Sequence, residues 1–576
     1  MLSKRMNVVL CWHMHQPVYR LHGEDSAPWT YLHGIKDYAD MAAHLERVPG
    51  ARAVVNFSPV LLEHLAQLTQ ELALAVQALD REDIAGACAA LHEPTLIALL
   101  RTPADAAARR ALYLRCLQVH PRTMLGRYPV FAQLAALVTP VLKAPELERY
   151  LAPDCLDDLL VWFHVAWFGE ATRRSSPLLQ QLQSCNDGFC SGDRQALFRL
   201  IADELAGLLP RYRALAASGQ VELAVSPWGH PILPLLIDMA AGQETQPASA
   251  LPAGGAYPGG RARALWHVEQ SKLTFKAHFG HAPTGCWPSE GAISGATLEL
   301  LAQCGFRWAA SGGAVLRNAS RVDACTGADA AADADACEHG GYALASSGME
   351  GPEQALQIFF RDDGLSDAIG FKYQSWRADT AVEDLIAHLL SIHALCPSPD
   401  AVVPIILDGE NAWEYYPENA YDFLQLLYTR LSTHPQLRLV TFAEQLAQAP
   451  QPAFRLQSIR AGSWVHGDLS TWIGNTARNR AWDLLIAAKH AFDAAPLDAT
   501  ARIACTQLLA ACECSDWFWW LSEHQNADAL ARFETLYRGH LQALYAGLGV
   551  QPPAELFVPI AVGDATAQAS VMLSAE

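Results

Sequence analysis

The run Val402-Val403-Pro404-Ile405-Ile406-Leu407-Asp408-Gly409-Glu410-Asn411-Ala412-Trp413-Glu414 passes abruptly from apolar residues to a cluster of three carboxylates. A buried strand that stops in charge points to an α/β fold, because sites assemble at the carboxyl ends of parallel strands. Other short apolar runs have the same character: Val8 to Trp12, Ala53 to Phe57, Val221 to Val225, Thr284 to Trp287, Phe306 to Ala309 and Leu356 to Phe360. Most are separated by Ala/Leu-rich stretches with helical periodicity, and strands alternating with helices predict a parallel sheet. Seven strands suit a barrel or a large doubly wound sheet, and strand count does not choose between them.

Around this frame the stretch from about 61 to 209 is helical and too long for one crossover, so it reads as a helical insertion. Gly242 to Gly260 reads as a loop, and the Ala/Asp-rich Asn318 to Gly341 as a mobile surface insertion. After about Pro450 the pattern shifts to amphipathic helices over Arg478 to Ala494, Ala499 to Cys512 and Ala527 to Gly547, with no evident strand. The expected division is a catalytic α/β part over residues 1–449 and a C-terminal α-helical domain over 450–576.

Bulk composition narrows the partners. Hydrophobic residues at 51% and charged residues at 18% describe a globular chain. A net charge of -19 and the lack of a basic run argue against nucleic acid. No segment approaches the roughly 20 apolar residues of a membrane span. The 14 cysteines form no CxxC pair, and the start from Met1 to Cys11 lacks a long apolar signal region, so reduced thiols in the cytoplasm are the expectation.

Independent polar motifs fall just after the candidate strands. His13 and His15, in His13-Met14-His15-Gln16-Pro17, are two apart in an extended segment and share one face, as substrate contacts or metal ligands. Glu290 follows Cys286-Trp287-Pro288-Ser289, a carboxylate beside an indole, which is the pairing a sugar's reacting carbon and C–H face require. Asp408 belongs to the crowded acidic cluster, where mutual repulsion raises proton affinity as a proton donor needs. Lesser candidates are Glu222 within a strand, His230 in Trp228-Gly229-His230-Pro231, Arg361 and Asp363, and Trp464 and Trp472 on either side of Asp468.

These motifs in this order resemble glycoside hydrolase family 57. HMHQP is similar to its first motif, GQVEL with SPWGHPILPLL to its second, CWPSEG to its third and LDGENAWEYY to its fourth. GSWVHGDLSTWIG and the Trp-rich Ser515 to Trp520 resemble its helical region. The resemblance implies an incomplete (β/α)7 barrel with helical insertions followed by a C-terminal helical bundle, an α-glucan or maltooligosaccharide substrate, and no required metal or cofactor. It implies Glu290 as nucleophile and Asp408 as general acid/base of a retaining enzyme, with the carboxyls about 5–5.5 Å apart. His13, His15 and His230 would bind sugar hydroxyls, Trp12, Trp287 and Trp413 would stack on sugar faces, and Glu222 would orient a histidine.

The nearest alternative keeps the carboxylate pair but passes the sugar to another glucan, as in a 4-α-glucanotransferase or α-glucan branching enzyme. A second is a metal-dependent deacetylase or amidohydrolase with His13, His15, His230 and Asp408 as Zn²⁺ ligands. A third is a non-catalytic carbohydrate-binding protein.

Overall fold

The computed structural model describes residues 5–152, 154–322, 339–344, 356–396, 400–522 and 526–561. Seven strands carry the architecture: β1 (Met6–Met14), β2 (Ala53–Phe57), β3 (Val221–Val225), β4 (Gly285–Cys286), β5 (Trp308–Gly312), β6 (Gln357–Arg361) and β7 (Val402–Asp408). Each overlaps one of the apolar runs read from the sequence. They lie side by side in chain order, all parallel, and β7 returns to pair with β1 from Asn7↔Val402 to His13↔Asp408.

The seam falls between β6 and β7. Across it the Asp362 N–H donates to the Pro404 carbonyl at 2.8 Å, the Arg361 Nη1 to the Ile406 carbonyl at 3.2 Å, and the Ile406 N–H to the Ser366 hydroxyl beyond β6 at 3.3 Å. A residue in a strand directs its N–H and C=O to the same neighbour, so Pro404 presents its missing N–H to β6, where no ladder forms. The result is an incomplete (β/α)7 barrel.

Side-chain alternation divides the core in two. Val9, Cys11, Val54, Ala224, Trp308, Ala310, Phe359, Val402 and Ile406 point inward and fill the barrel with the help of Phe442. Val8, Leu10, Trp12 and Met14 point outward into the cluster shared with the surrounding helices. The fit inside is tight at β4: a Cβ on Gly285 would lie 1.7 Å from the Trp308 indole, so this position needs a glycine.

The described residues between β2 and β3 contain helices and no strand, from Pro59–Leu79 to Ser191–Ala217. Beyond β7, helices Thr476–Ala494, Ala499–Cys512, Ser515–Trp520 and Ala527–Leu548 surround a second core that also takes in Tyr19, Ile232, Leu235 and Tyr257 from the barrel loops. The expectation of no strand after 450 is corrected. Phe454–Ser458 lies parallel to Tyr342–Leu344 and antiparallel to Ser320–Val322, extending the sheet past β6. Its pattern, Phe-Arg-Leu-Gln-Ser, buries only Leu456 and so gives little apolar signal. Residues 323–338 of the Ala/Asp-rich insertion lie outside the described residues. Among the described residues, no helix is long and apolar enough to cross a membrane.

Candidate active site

The carboxyl ends of the strands bring together side chains from distant parts of the chain. His13 and His15 leave β1 on the face already set by Val9 and Cys11, and their rings stack at 5.9 Å. His230, from the loop after β3, stacks on His15 at 3.7 Å and on His13 at 5.0 Å. His13 Nδ1 is 2.7 Å from Asn56 Oδ1, an atom that only accepts, so His13 donates from Nδ1 and its Nε2 carries a lone pair. His230 Nε2, 3.0 Å away, must then donate to it, which leaves His230 Nδ1 to accept from the Ser515 hydroxyl at 2.9 Å. Both imidazoles are therefore neutral in this chain. Burial, then the charge His15 would carry, pushes His13 down to about 3, and burial followed by the same two neighbours holds His230 well below its usual value.

Glu290 sits on a 3₁₀ turn after β4 in a left-handed conformation, φ 58°, and His230 has φ 55°. Non-glycine residues at such angles are uncommon, and strain of this kind gathers at functional sites. The Glu290 carbonyl accepts from the Trp464 N–H at 3.1 Å. Its carboxylate accepts from the Trp464 indole N–H at 3.0 Å on Oε2, while Oε1 lies 3.4 Å from Ser515 Oγ, whose one proton goes to His230. Burial, with the charges of Asp408 and Asp516, raises Glu290 to about 8. Asp408, at the end of β7, is raised by burial to about 6 while the Asn411 amide, donating at 2.7 Å, works the other way. Beneath it Glu410 is held well above the usual range by burial and then by Asp408, and it accepts from the His15 N–H and the Gln16 amide, each at 3.3 Å.

The C-terminal helices complete the pocket. Asp516 Oδ2 accepts from His15 Nε2 at 2.8 Å and from the Cys514 thiol at 2.9 Å, while His15 Nδ1 is 2.7 Å from Ser58 Oγ. Their position depends on buried Glu513, which accepts from Arg263 at 2.6 Å, His267 at 2.7 Å and Tyr257 at 2.6 Å. His267 also accepts from the Gly229 N–H at 3.1 Å, and a Cβ on Gly229 would lie 2.6 Å from the Ala510 carbonyl, so the residue before His230 has to be small.

Several expected site residues stand elsewhere. Trp12, Trp287 and Trp413 are at most 1% exposed, so their ring faces are covered and the expectation that they stack on sugars is corrected. Trp12 points outward and donates to Tyr428 OH at 2.7 Å, and Trp413 donates to the Gly409 carbonyl at 2.9 Å. Trp472 is buried in the C-terminal core. Glu222 touches no histidine: it accepts from the Trp308 indole and from the Ala443 N–H, both at 2.8 Å, below the pocket. Arg361, by contrast, borders the pocket: it lies over Trp464 at 5.0 Å, its charge works against the rise of Asp408, and it is held by Asp363 at 2.9 Å, while Asp363 also caps Gly313 and Ala314. Asn56, Ser58, Cys514, Ser515 and Asp516 were not singled out in the sequence. Asn56 left one signal, an amide inside the apolar strand Ala53-Val54-Val55-Asn56-Phe57.

A family model described as glycosyl hydrolase family 57 matches residues 9–458. Among solved structures, the chain is similar to a family 57 branching enzyme from Thermococcus kodakaraensis at 16% identity and TM-score 0.53, covering 94% of this chain and 90% of that one. It is similar to the family 57-type branching enzyme of Pyrococcus horikoshii at 15% and 0.54, with coverage of 96% and 93%. The α-amylase AmyC of Thermotoga maritima aligns at 12% and 0.54, with coverage of 96% and 95%. No curated protein matches the chain in sequence.

Proposed function

Because the chain belongs to glycosyl hydrolase family 57 and is an enzyme of that family, we propose that it is a retaining glycosidase acting on α-linked glucans, with Glu290 as nucleophile and Asp408 as general acid/base. The observation that carries the reading is the electrostatic coupling of these two carboxyls in one pocket, each raised by burial. Glu290 attacks the anomeric carbon as Asp408 protonates the departing glycosidic oxygen, and a glycosyl ester forms. Asp408 then takes a proton from water, which attacks the anomeric carbon, and the bond from that carbon to the Glu290 oxygen breaks to free the carboxylate. The indole N–H of Trp464 is a donor suited to the carboxylate form of Glu290. The neutral His13 and His230 spend all four ring nitrogens on each other, Asn56 and Ser515, so in place of the expected bonds to sugar hydroxyls they stiffen the pocket wall and hold Ser515 beside Glu290.

One observation favours a second reading. In the empty pocket Glu290 has the greater proton affinity, so the pair's shared proton rests on the proposed nucleophile. The first mechanism needs that proton to pass to Asp408 as the sugar enters, whereas exchanged roles would not. Azide rescue separates the two. Glu290→Ala with an activated α-glucoside and azide is expected to give the β-glucosyl azide, the product of direct displacement, and Asp408→Ala the α-azide; the opposite pattern exchanges the roles. On maltoheptaose, Glu290→Gln is expected to lose at least about 10³-fold in turnover, a loss of roughly 4 kcal/mol in transition-state stabilisation. Turnover at the parent rate would remove Glu290 from the mechanism. The same digest identifies the acceptor: shorter chains alone mean water, and chains longer than seven units mean a 4-α-glucanotransferase.

A further inference from the structure

We propose that His15 Nε2, Cys514 Sγ and Asp516 Oδ2 form a binding site for a thiophilic divalent cation of the zinc class at the edge of the pocket. The three ligand atoms lie within 4.8 Å of one another, with Cys514 Sγ 4.0 Å from His15 Nε2 and 2.9 Å from Asp516 Oδ2. One nitrogen, one sulfur and one oxygen are the donor types zinc takes, and calcium or magnesium would not choose the thiol. Tetrahedral ligation would move these atoms by only a few tenths of an ångström, opening the two short contacts to Asp516 and narrowing the Cys514–His15 gap.

The surroundings fit as well. Ser58 Oγ, 2.7 Å from His15 Nδ1, is a hydroxyl that can accept as readily as donate. When it accepts, His15 is protonated at Nδ1 and turns its Nε2 lone pair toward the thiol and carboxylate, the orienting role that a second partner plays at metal-bound histidines. Cys514 and His15 are buried, while Asp516 keeps 19% of its side chain exposed and the neighbouring Glu290 17%. That open side leaves a fourth position for water. The charges of Asp516 and Asp408 also make the pocket attractive to a cation. On binding, the Cys514 S–H bond breaks, its proton leaves to solvent, and the thiolate electron pair forms the bond to the metal. The histidines expected as a ligand set divide: His13 and His230 spend their ring nitrogens on each other, Asn56 and Ser515, and only His15 is available.

A cation here would occupy space beside Glu290, so zinc is expected to inhibit rather than activate. The site stands independently of the sugar chemistry, and only the inhibition rests on it. The test uses the full chain with serine at the exposed Cys185 and Cys190 and at Cys325 and Cys337, which lie outside the described residues. Cadmium added to this protein is expected to raise an ultraviolet thiolate-to-cadmium band that saturates at one equivalent. The band is expected to vanish in Cys514→Ala and to need at least about tenfold more cadmium in Asp516→Asn. No band in the parent, or the same band in both variants, overturns the site. Zinc inhibition of maltoheptaose turnover is expected to weaken at least about tenfold in Cys514→Ala; inhibition of equal strength overturns the proposed consequence. If the chain has no glucan activity, the absorption titration still decides the site.

Discussion

Replacing Trp464 by Phe keeps a ring beside Arg361 and Trp287 but removes the indole N–H that donates to Glu290 at 3.0 Å. A hydrogen bond to a charged group contributes about 1.5–3 kcal/mol, which is about one to two pKa units. The donor favours the ionised form, so its loss raises Glu290 above about 8, while Asp408 stays near about 6. The two titrate as a pair, and the active free enzyme carries one proton. With Glu290 the stronger base by two units, roughly one empty pocket in a hundred has that proton on Asp408, and the variant lowers this share by a further factor of about 10–100. For kcat/KM on maltoheptaose, which reports the free enzyme, the expected outcome has two parts. The alkaline limb moves up from near about 8 by one to two units, the acid limb near about 6 is unmoved, and the plateau falls about 10- to 100-fold. A limb that does not move would refute the claim that the indole sets the proton affinity of Glu290. A limb that moves with no loss of plateau would refute Glu290 as nucleophile, because a general acid benefits from holding its proton.

Two further substitutions test the support around the pocket. Glu513→Gln leaves Arg263 as an uncompensated buried charge and is expected to cost about 3–5 kcal/mol at pH 7, read by denaturant unfolding. Burial alone would raise Glu513, but Arg263 and then His267 outweigh it and hold the carboxyl far below its usual range. Its stabilisation is therefore present above the unfolded-state pKa of about 4.3 and is lost as pH falls through the folded value. The gap between parent and variant should narrow below about pH 4, and a gap that widens there contradicts the ion-pair account. Glu222→Gln turns an NH₂ toward either Trp308 or the Ala443 N–H, and is expected to cost about 1–3 kcal/mol of stability with kcat/KM unchanged; a large loss of turnover in a variant of parental stability would return Glu222 to the pocket.

The seven strands were legible because each is a short apolar run and most end at a polar motif, and the His13/His15 pair because two residues fix a face. The tryptophans misled because residue type was weighed ahead of direction. If His13 faces the pocket, strand alternation turns Trp12 outward, and it packs there against Tyr428 and Trp413. The same rule applied to β3 turns Glu222 inward beside Ala224 but places it one layer down, two residues short of the strand's functional end.

The residues that went unread share another cause. Ser515 and Asp516 meet Glu290 and His15 across separations of 225 and 501 positions, and no local pattern encodes that meeting. It depends on Glu513 closing on Arg263 and His267, so an ion pair far from any strand end sets where the last wall of the pocket stands. The local run Cys512-Glu513-Cys514-Ser515-Asp516 then has two jobs, with Glu513 turned to the barrel helix and Cys514, Ser515 and Asp516 turned to the site. A loss of Glu513 should therefore appear first at the pocket, as a looser hold of Ser515 on His230 and of Asp516 on His15, before the barrel itself yields.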